Sequence, residues 1–179
     1  MSFNVNKTLL ASAMAIGMVS AAHAADGGHG KINFKGSILD AACSIAPASA
    51  EQTVQLGQIS KAALNNGGKS SPTSFSLDLE NCSIDGENAK NKVQVTFTGK
   101  ESSAGNGLLG ITGAASGASV AITDGSGELI KLGTATKPQT LQNGKATLSF
   151  AAYLQGDGEK ATVTEGDFST VADFTLAYN

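Results

Sequence analysis

The chain has 179 residues, 41% of them hydrophobic and 15% charged, with a formal net charge of −3. All twelve basic residues are lysines and they are scattered rather than striped. The forked guanidinium contacts that read phosphates and base edges are therefore missing, which argues against a nucleic-acid partner.

Taken from the start, Lys7 gives a positive n-region, residues 9–20 an apolar run of small and aliphatic side chains, and Ala22-His23-Ala24 a small-x-small cleavage site. This pattern predicts a secretory signal peptide over residues 1–24. The run is too short for a membrane anchor, and no later stretch reaches about 18 apolar residues, so the product is expected to be soluble and exported. Residues 25–179 then make one domain, which at that size buries roughly 70% of the surface its unfolded chain exposes.

Residues 25–30 (ADGGHG) offer no core side chain, and residues 31–39 read KINFKGSIL. There Ile32, Phe34, Gly36 and Ile38 share one face, and Lys31, Asn33, Lys35 and Ser37 the other, so an amphipathic strand is expected after a flexible leader. By pattern alone it is equally an ordinary first strand of the fold. Cys43 and Cys82, an even pair in an exported chain, predict one disulfide, which by chain entropy contributes on the order of 4 kcal/mol. A metal site does not fit, because His29 is the one histidine left after cleavage and cannot complete four ligands.

Residues 60–64 before Asn65-Asn66-Gly67-Gly68 suggest a single helical turn. Further on, β-rich segments fall at residues 73–79, 92–98, 118–123, 128–132 and 146–154. Asn-Gly or Asp-Gly reversal signals stand at Asn66, Asp85, Asn106, Asp124, Asn143 and Asp157. The chain ends TVADFTLAYN, with Ala172, Phe174, Leu176 and Tyr178 on one parity. Counting back in twos adds Phe168 and Gly166, so a strand pattern runs to the last residue with no returning strand. Many short strands, few prolines and one disulfide predict an all-β, immunoglobulin-like antiparallel sandwich, with a closed barrel as the alternative.

Chemistry is not evident, and no enzyme is expected. His29 lies between glycines, and the acids Asp85, Glu87, Asp157, Glu159, Glu165 and Asp167 sit in or beside turns, where they solvate or bond the backbone. Residues 156–161 satisfy G-x-G-x-x-A, but they run into Thr162-Val163-Thr164, which disfavours the helix that a dinucleotide site needs. Asp124-Gly125-Ser126-Gly127 is too short for a calcium loop. Asn81-Cys82-Ser83 matches a glycosylation acceptor only formally, its cysteine being engaged. With two tyrosines and no tryptophan, a sugar platform has little support. No cofactor and no metal is expected.

With these features the chain resembles the rod subunits of chaperone-usher pili, the type 1 and P pilus pilins. The resemblance rests on Cys43 after an amphipathic N-terminal extension (GKINFKGSILDAAC), Tyr178 as penultimate residue, Gly166 fourteenth from the end and Ala152-Tyr153 in the strand before the last turn. It implies an incomplete immunoglobulin-like sandwich of six strands whose seventh strand is donated in trans, a form of β-augmentation. It further implies an N-terminal extension over residues 25–36 and a pilin domain over residues 37–179. Ile32, Phe34, Gly36 and Ile38 would form the donor strand. Gly166, Phe168, Ala172, Phe174, Leu176, Tyr178 and Asn179 would form the acceptor groove and chaperone-binding surface. The implied partners are identical subunits, a periplasmic pilus chaperone, an outer-membrane usher and minor or tip pilins. The implied location is a cell-surface fimbria used in adhesion or biofilm formation. A minor adaptor pilin, or a self-contained secreted carbohydrate-binding or adhesive domain, is the alternative.

Overall fold

The computed structural model describes residues 28–86 and 90–179. The signal peptide assigned to residues 1–24, the first residues of the leader and Glu87 lie outside them. Residues 39–179 form one compact unit, and the residues before it are treated by themselves.

Among the described residues of that unit are eleven strand segments, two single-turn helices and one 3₁₀ turn. The first sheet has the order β1 (Ser44–Ile45), β2 (Thr73–Cys82), β9 (Gly144–Gly156), β6 (Ala118–Asp124) and β4 (Leu109–Gly110), with β7 (Leu129–Ile130) also on β6. The second has the order β11 (Ala172–Tyr178), β3 (Lys92–Gly99) and β8 (Gln139–Thr140), and β5 (Thr112–Gly113) pairs with β10 (Phe168–Ser169) in a short ribbon. Every named pairing is antiparallel. Because side chains alternate along a strand, each sheet turns its apolar parity inward. Leu77 and Leu79 of β2, Leu148 and Phe150 of β9, Val120 and Ile122 of β6, and Val93, Val95 and Phe97 of β3 thus share one core. Within it the rings of Phe75, Phe97 and Phe150 pack mutually, with centroids 6.4, 5.5 and 5.2 Å apart.

β6 is buried on both faces, which alternation alone does not foretell. Its outward residues are small, and Leu108 with Tyr153 covers Ala121 there. The hydroxyl of the fully buried Ser119 donates to the Asp157 carboxylate, so burial leaves no orphan donor.

The segments expected at residues 73–79, 92–98, 118–123 and 146–154 form the four longest strands before the terminal one, each with an extra residue or more at its ends. The one at 128–132 shrinks to two residues, the short return of a hairpin. Its turn is built by Asp124, whose Oδ1 accepts from the Ser126 and Glu128 amides at 2.9 Å each. These hydrogen bonds, led by that from the Ser126 hydroxyl, hold the Asp124 carboxyl below its usual range. The helical turn comes at Lys61–Leu64, followed by a 3₁₀ turn over Asn65–Gly67 in which Asn66 takes a φ of 55°.

Two expectations are corrected. The terminal strand is not continuous: β10 and β11 are separated at Thr170 and Val171, and the first pairs with β5 rather than with β3. The break is fixed by the Thr170 hydroxyl, which donates to the Gly110 carbonyl at 2.8 Å. Residues 31–39 form no strand; Ile32, Phe34 and Ile38 are 78%, 90% and 101% exposed. Alternation makes a segment competent for a sheet, but a strand exists only against a hydrogen-bonding neighbour.

Candidate functional site: an open groove beside the terminal strand

A sheet edge exposes a row of unsatisfied amide and carbonyl groups. The second sheet treats its two edges differently. The outer edge of β3 is covered along its length: β8 pairs with Lys92 and Val93, Thr136 N donates to the Val95 carbonyl at 2.9 Å, and Gly133 N donates to that of Phe97 at 2.8 Å. The Val95 amide in turn donates to the Thr136 hydroxyl at 2.9 Å. β11, by contrast, pairs on one side alone, with β3 from Ala172↔Gly99 to Tyr178↔Val93. Among the described residues its other edge has no strand beside it.

Across from that edge runs a second unpaired stretch. In the first sheet β2 is flanked by β1 only near its end, and side chains finish the job: Asp78 N donates to Ser49 Oγ at 2.9 Å, and Gln52 Nε2 to the Ser76 carbonyl at 3.0 Å. Pro47–Ala50 forms the helical turn that places Ser49. After it, residues 53–59 form no helix or strand and enter no ladder and no main-chain hydrogen bond, yet Val54, Leu56 and Ile59 are half-buried. Their outer walls thus leave backbone groups free on both sides of a gap.

The gap is an open groove of about 1130 Å³. Phe75, Leu77, Phe97, Val120, Ile122 and Leu154 lie along its floor, Leu56 and Ile59 border one side, and Phe168, Ala172 and Phe174 the other. An apolar trough between two unsatisfied main-chain rows is chemically a slot for an extended peptide with one apolar face. Nothing in it resembles a reaction centre, and among the described residues no group of three His, Cys, Asp or Glu could hold a metal ion.

The residues singled out in the sequence divide as follows. Gly166, Phe168, Ala172 and Phe174 border the groove. Leu176 and Tyr178 share their parity and pack half-buried on the core farther along β11. Tyr178 Oη donates to the Cys43 carbonyl at 3.4 Å, and burial pushes its phenol pKa up, so the donor proton is retained through the physiological range. Asn179 closes the ladder, its amide donating to the Lys92 carbonyl at 2.9 Å and its Nδ2 to Gln94 Oε1 at 2.7 Å. Cys43 and Cys82 form a disulfide that ties the start of β1 to the end of β2.

Gly166 has φ 143°, and a Cβ there would stand 2.6 Å from Ala114 Cβ and 2.9 Å from the Ala115 nitrogen. Glycine is required by that close approach, which shapes one end of the groove. Gly166→Ala is expected to lower stability by about 1–3 kcal/mol, read as a lower denaturant midpoint with unchanged slope.

The wall at residues 53–59 was missed in the sequence. A signal existed: TVQLGQI alternates at Val54 and Leu56 until Gly57, whose φ of 74° shifts the parity so that Ile59 again faces inward.

Comparison with known proteins agrees with this architecture. The fimbrial protein family matches residues 32–179. Fimbria A protein of Serratia marcescens is 61% identical, covering 97% of this chain and 98% of the relative, and the major MR/P fimbria protein of Proteus mirabilis is 48% identical over the same shares. Among solved structures, the P pilus rod subunit PapA superposes with a TM-score of 0.69 at 34% identity, covering 78% of this chain and all of that one. A chain from a chaperone-usher pilus superposes with a TM-score of 0.75, again at 34% identity, covering 86% and 97%. By sequence over nearly its whole length and by its open-sided sandwich, the chain belongs to the fimbrial protein family.

Proposed function

We propose that the chain is a structural subunit of a surface fimbria, a homopolymer in which the groove of one copy receives the N-terminal extension of the next. The observation that carries this is the bare edge of β11 facing residues 53–59 across an apolar trough, together with an alternating segment at residues 31–39 whose apolar side chains are exposed. Burial of Ile32, Phe34 and Ile38 contributes very roughly 5–8 kcal/mol before ordering costs. Hydrogen bonds on both edges of the inserted strand add to it. The domain division that goes with this reading is a signal peptide over residues 1–24, an extension over 25–36 and the pilin domain over 37–179.

Before assembly the same slot is filled by a strand of a periplasmic chaperone, and an outer-membrane usher delivers the subunit to the fibre, where minor or tip pilins complete it. The role is mechanical and not enzymatic: the relatives are fimbrial proteins.

Cells lacking the gene product, viewed by negative stain, are expected to lose the whole shaft. Isolated filaments warmed in mild denaturant should release a ladder of oligomers. A stable lone monomer on gel filtration, with filaments intact in the deletion strain, would instead support a self-contained adhesive domain.

A further inference from the structure

We propose that the groove selects a basic strand: carboxylates at its mouth steer residues 31–39 of a second copy through Lys31 and Lys35. This rests on the strand-acceptor reading above and adds to it the chemistry that recognises the incoming segment.

The residues bordering the groove include Glu51, Glu165, Asp167 and Asp173, against Lys61 as the one lysine. All five are exposed. The salt bridge found among the described residues joins Lys137 to Glu128, so none of these four carboxylates is ion-paired to another described residue. The segment proposed to insert has the opposite sign. Between residues 28 and 39 there are two lysines and no acid, and both lysines are exposed.

Placement follows from strand geometry. If Ile32, Phe34 and Ile38 face the floor, Lys31 and Lys35 point out of the mouth, about 13 Å apart at the usual rise per residue. Same-face neighbours on adjacent strands stand roughly 5 Å apart, so the outward parity of β11, which carries Asp173, lies within reach of an ammonium group. On the opposite wall Glu51 stands at the end of the Pro47–Ala50 turn, just before residues 53–59.

The overall charge gives the arrangement its purpose. Two copies of a chain that is acidic overall, and more so once Lys7 leaves with residues 1–24, repel each other on approach. Their basic segment is attracted to the groove mouth even so, which favours the encounters in which it leads. Such a field acts over a Debye length, about 10 Å at 0.1 M salt, and raises association rates more than it slows dissociation.

The test uses the full chain carrying Phe34→Asp as acceptor, so that its own extension does not compete, and a fluorescent peptide of residues 28–39 as probe. The association rate is expected to fall at least ~10-fold between low salt and 0.5 M salt. A peptide with Lys31→Glu and Lys35→Glu should bind ~10-fold more slowly at low salt, and the acceptor with Glu165→Lys and Asp167→Lys should restore its rate. A wild-type peptide that binds at a rate indifferent to salt and to both reversals overturns the steering. Failure of every peptide to bind, or binding of a Phe34→Asp peptide as well as wild type, overturns the strand-acceptor reading itself. For the wild-type full chain alone, groove occupancy that rises with protein concentration supports a second copy as the occupant. Concentration-independent occupancy overturns it.

Discussion

Replacing Phe34 with Asp is expected to abolish fibre growth while leaving the 39–179 unit as well folded as before. Phe34 is 90% exposed in the free chain, so its removal takes nothing from the fold. In an assembled pair the same side chain would lie in a trough floored by apolar groups such as Phe97 and Leu154, while Lys61, the lysine that borders the groove, is exposed to solvent. The variant loses about 2–3 kcal/mol of apolar burial and adds several more for desolvating a charge. Together these reduce the occupancy of the slot by at least ~10³-fold. The readout is electron microscopy of cells expressing the variant, alongside the yield of chaperone-bound subunit from the periplasm. Absent filaments with normal subunit yield are expected, and full-length filaments would remove Phe34 from the inserted strand.

Cys43→Ser is expected to cost about 2–5 kcal/mol of stability, a large share of what a domain with an unfilled groove has to spare. Both cysteines are buried, at 6% and 5% exposure, so the change also leaves a hydroxyl and an unpaired thiol inside. The damage reaches β11, because Tyr178 hydrogen-bonds the carbonyl of Cys43. Periplasmic yield of folded subunit should drop sharply, and the denaturant midpoint of the refolded protein should move down with it. Equal midpoints for wild type with and without reductant would show that the disulfide contributes nothing.

Much of this architecture is legible in the sequence where one face of a strand is wet and the other dry. Val93, Val95 and Phe97, or Ala172, Phe174, Leu176 and Tyr178, announce themselves by parity because solvent on one side forces polar residues into alternate positions. The break at Thr170 was not legible, since it depends on a hydroxyl reaching the carbonyl of Gly110, sixty residues away. Nor was the covering of β2 by Ser49 and Gln52, in which side chains replace a strand. Burial of β6 on both faces likewise depends on Leu108, which a local pattern does not connect to Ala121. The groove itself was half legible. The β11 side follows from alternation, whereas the opposite wall is broken by Gly57, whose positive φ disrupts the count of two.

On the strand-acceptor reading proposed above, the unequal treatment of the two edges of the second sheet sets the valency of the subunit. With β3 capped by residues of its own chain and β11 left bare, each copy offers one vacancy and carries one tail to fill another's. Such units join in single file: the product is unbranched, polar from end to end, and extensible only at a terminus.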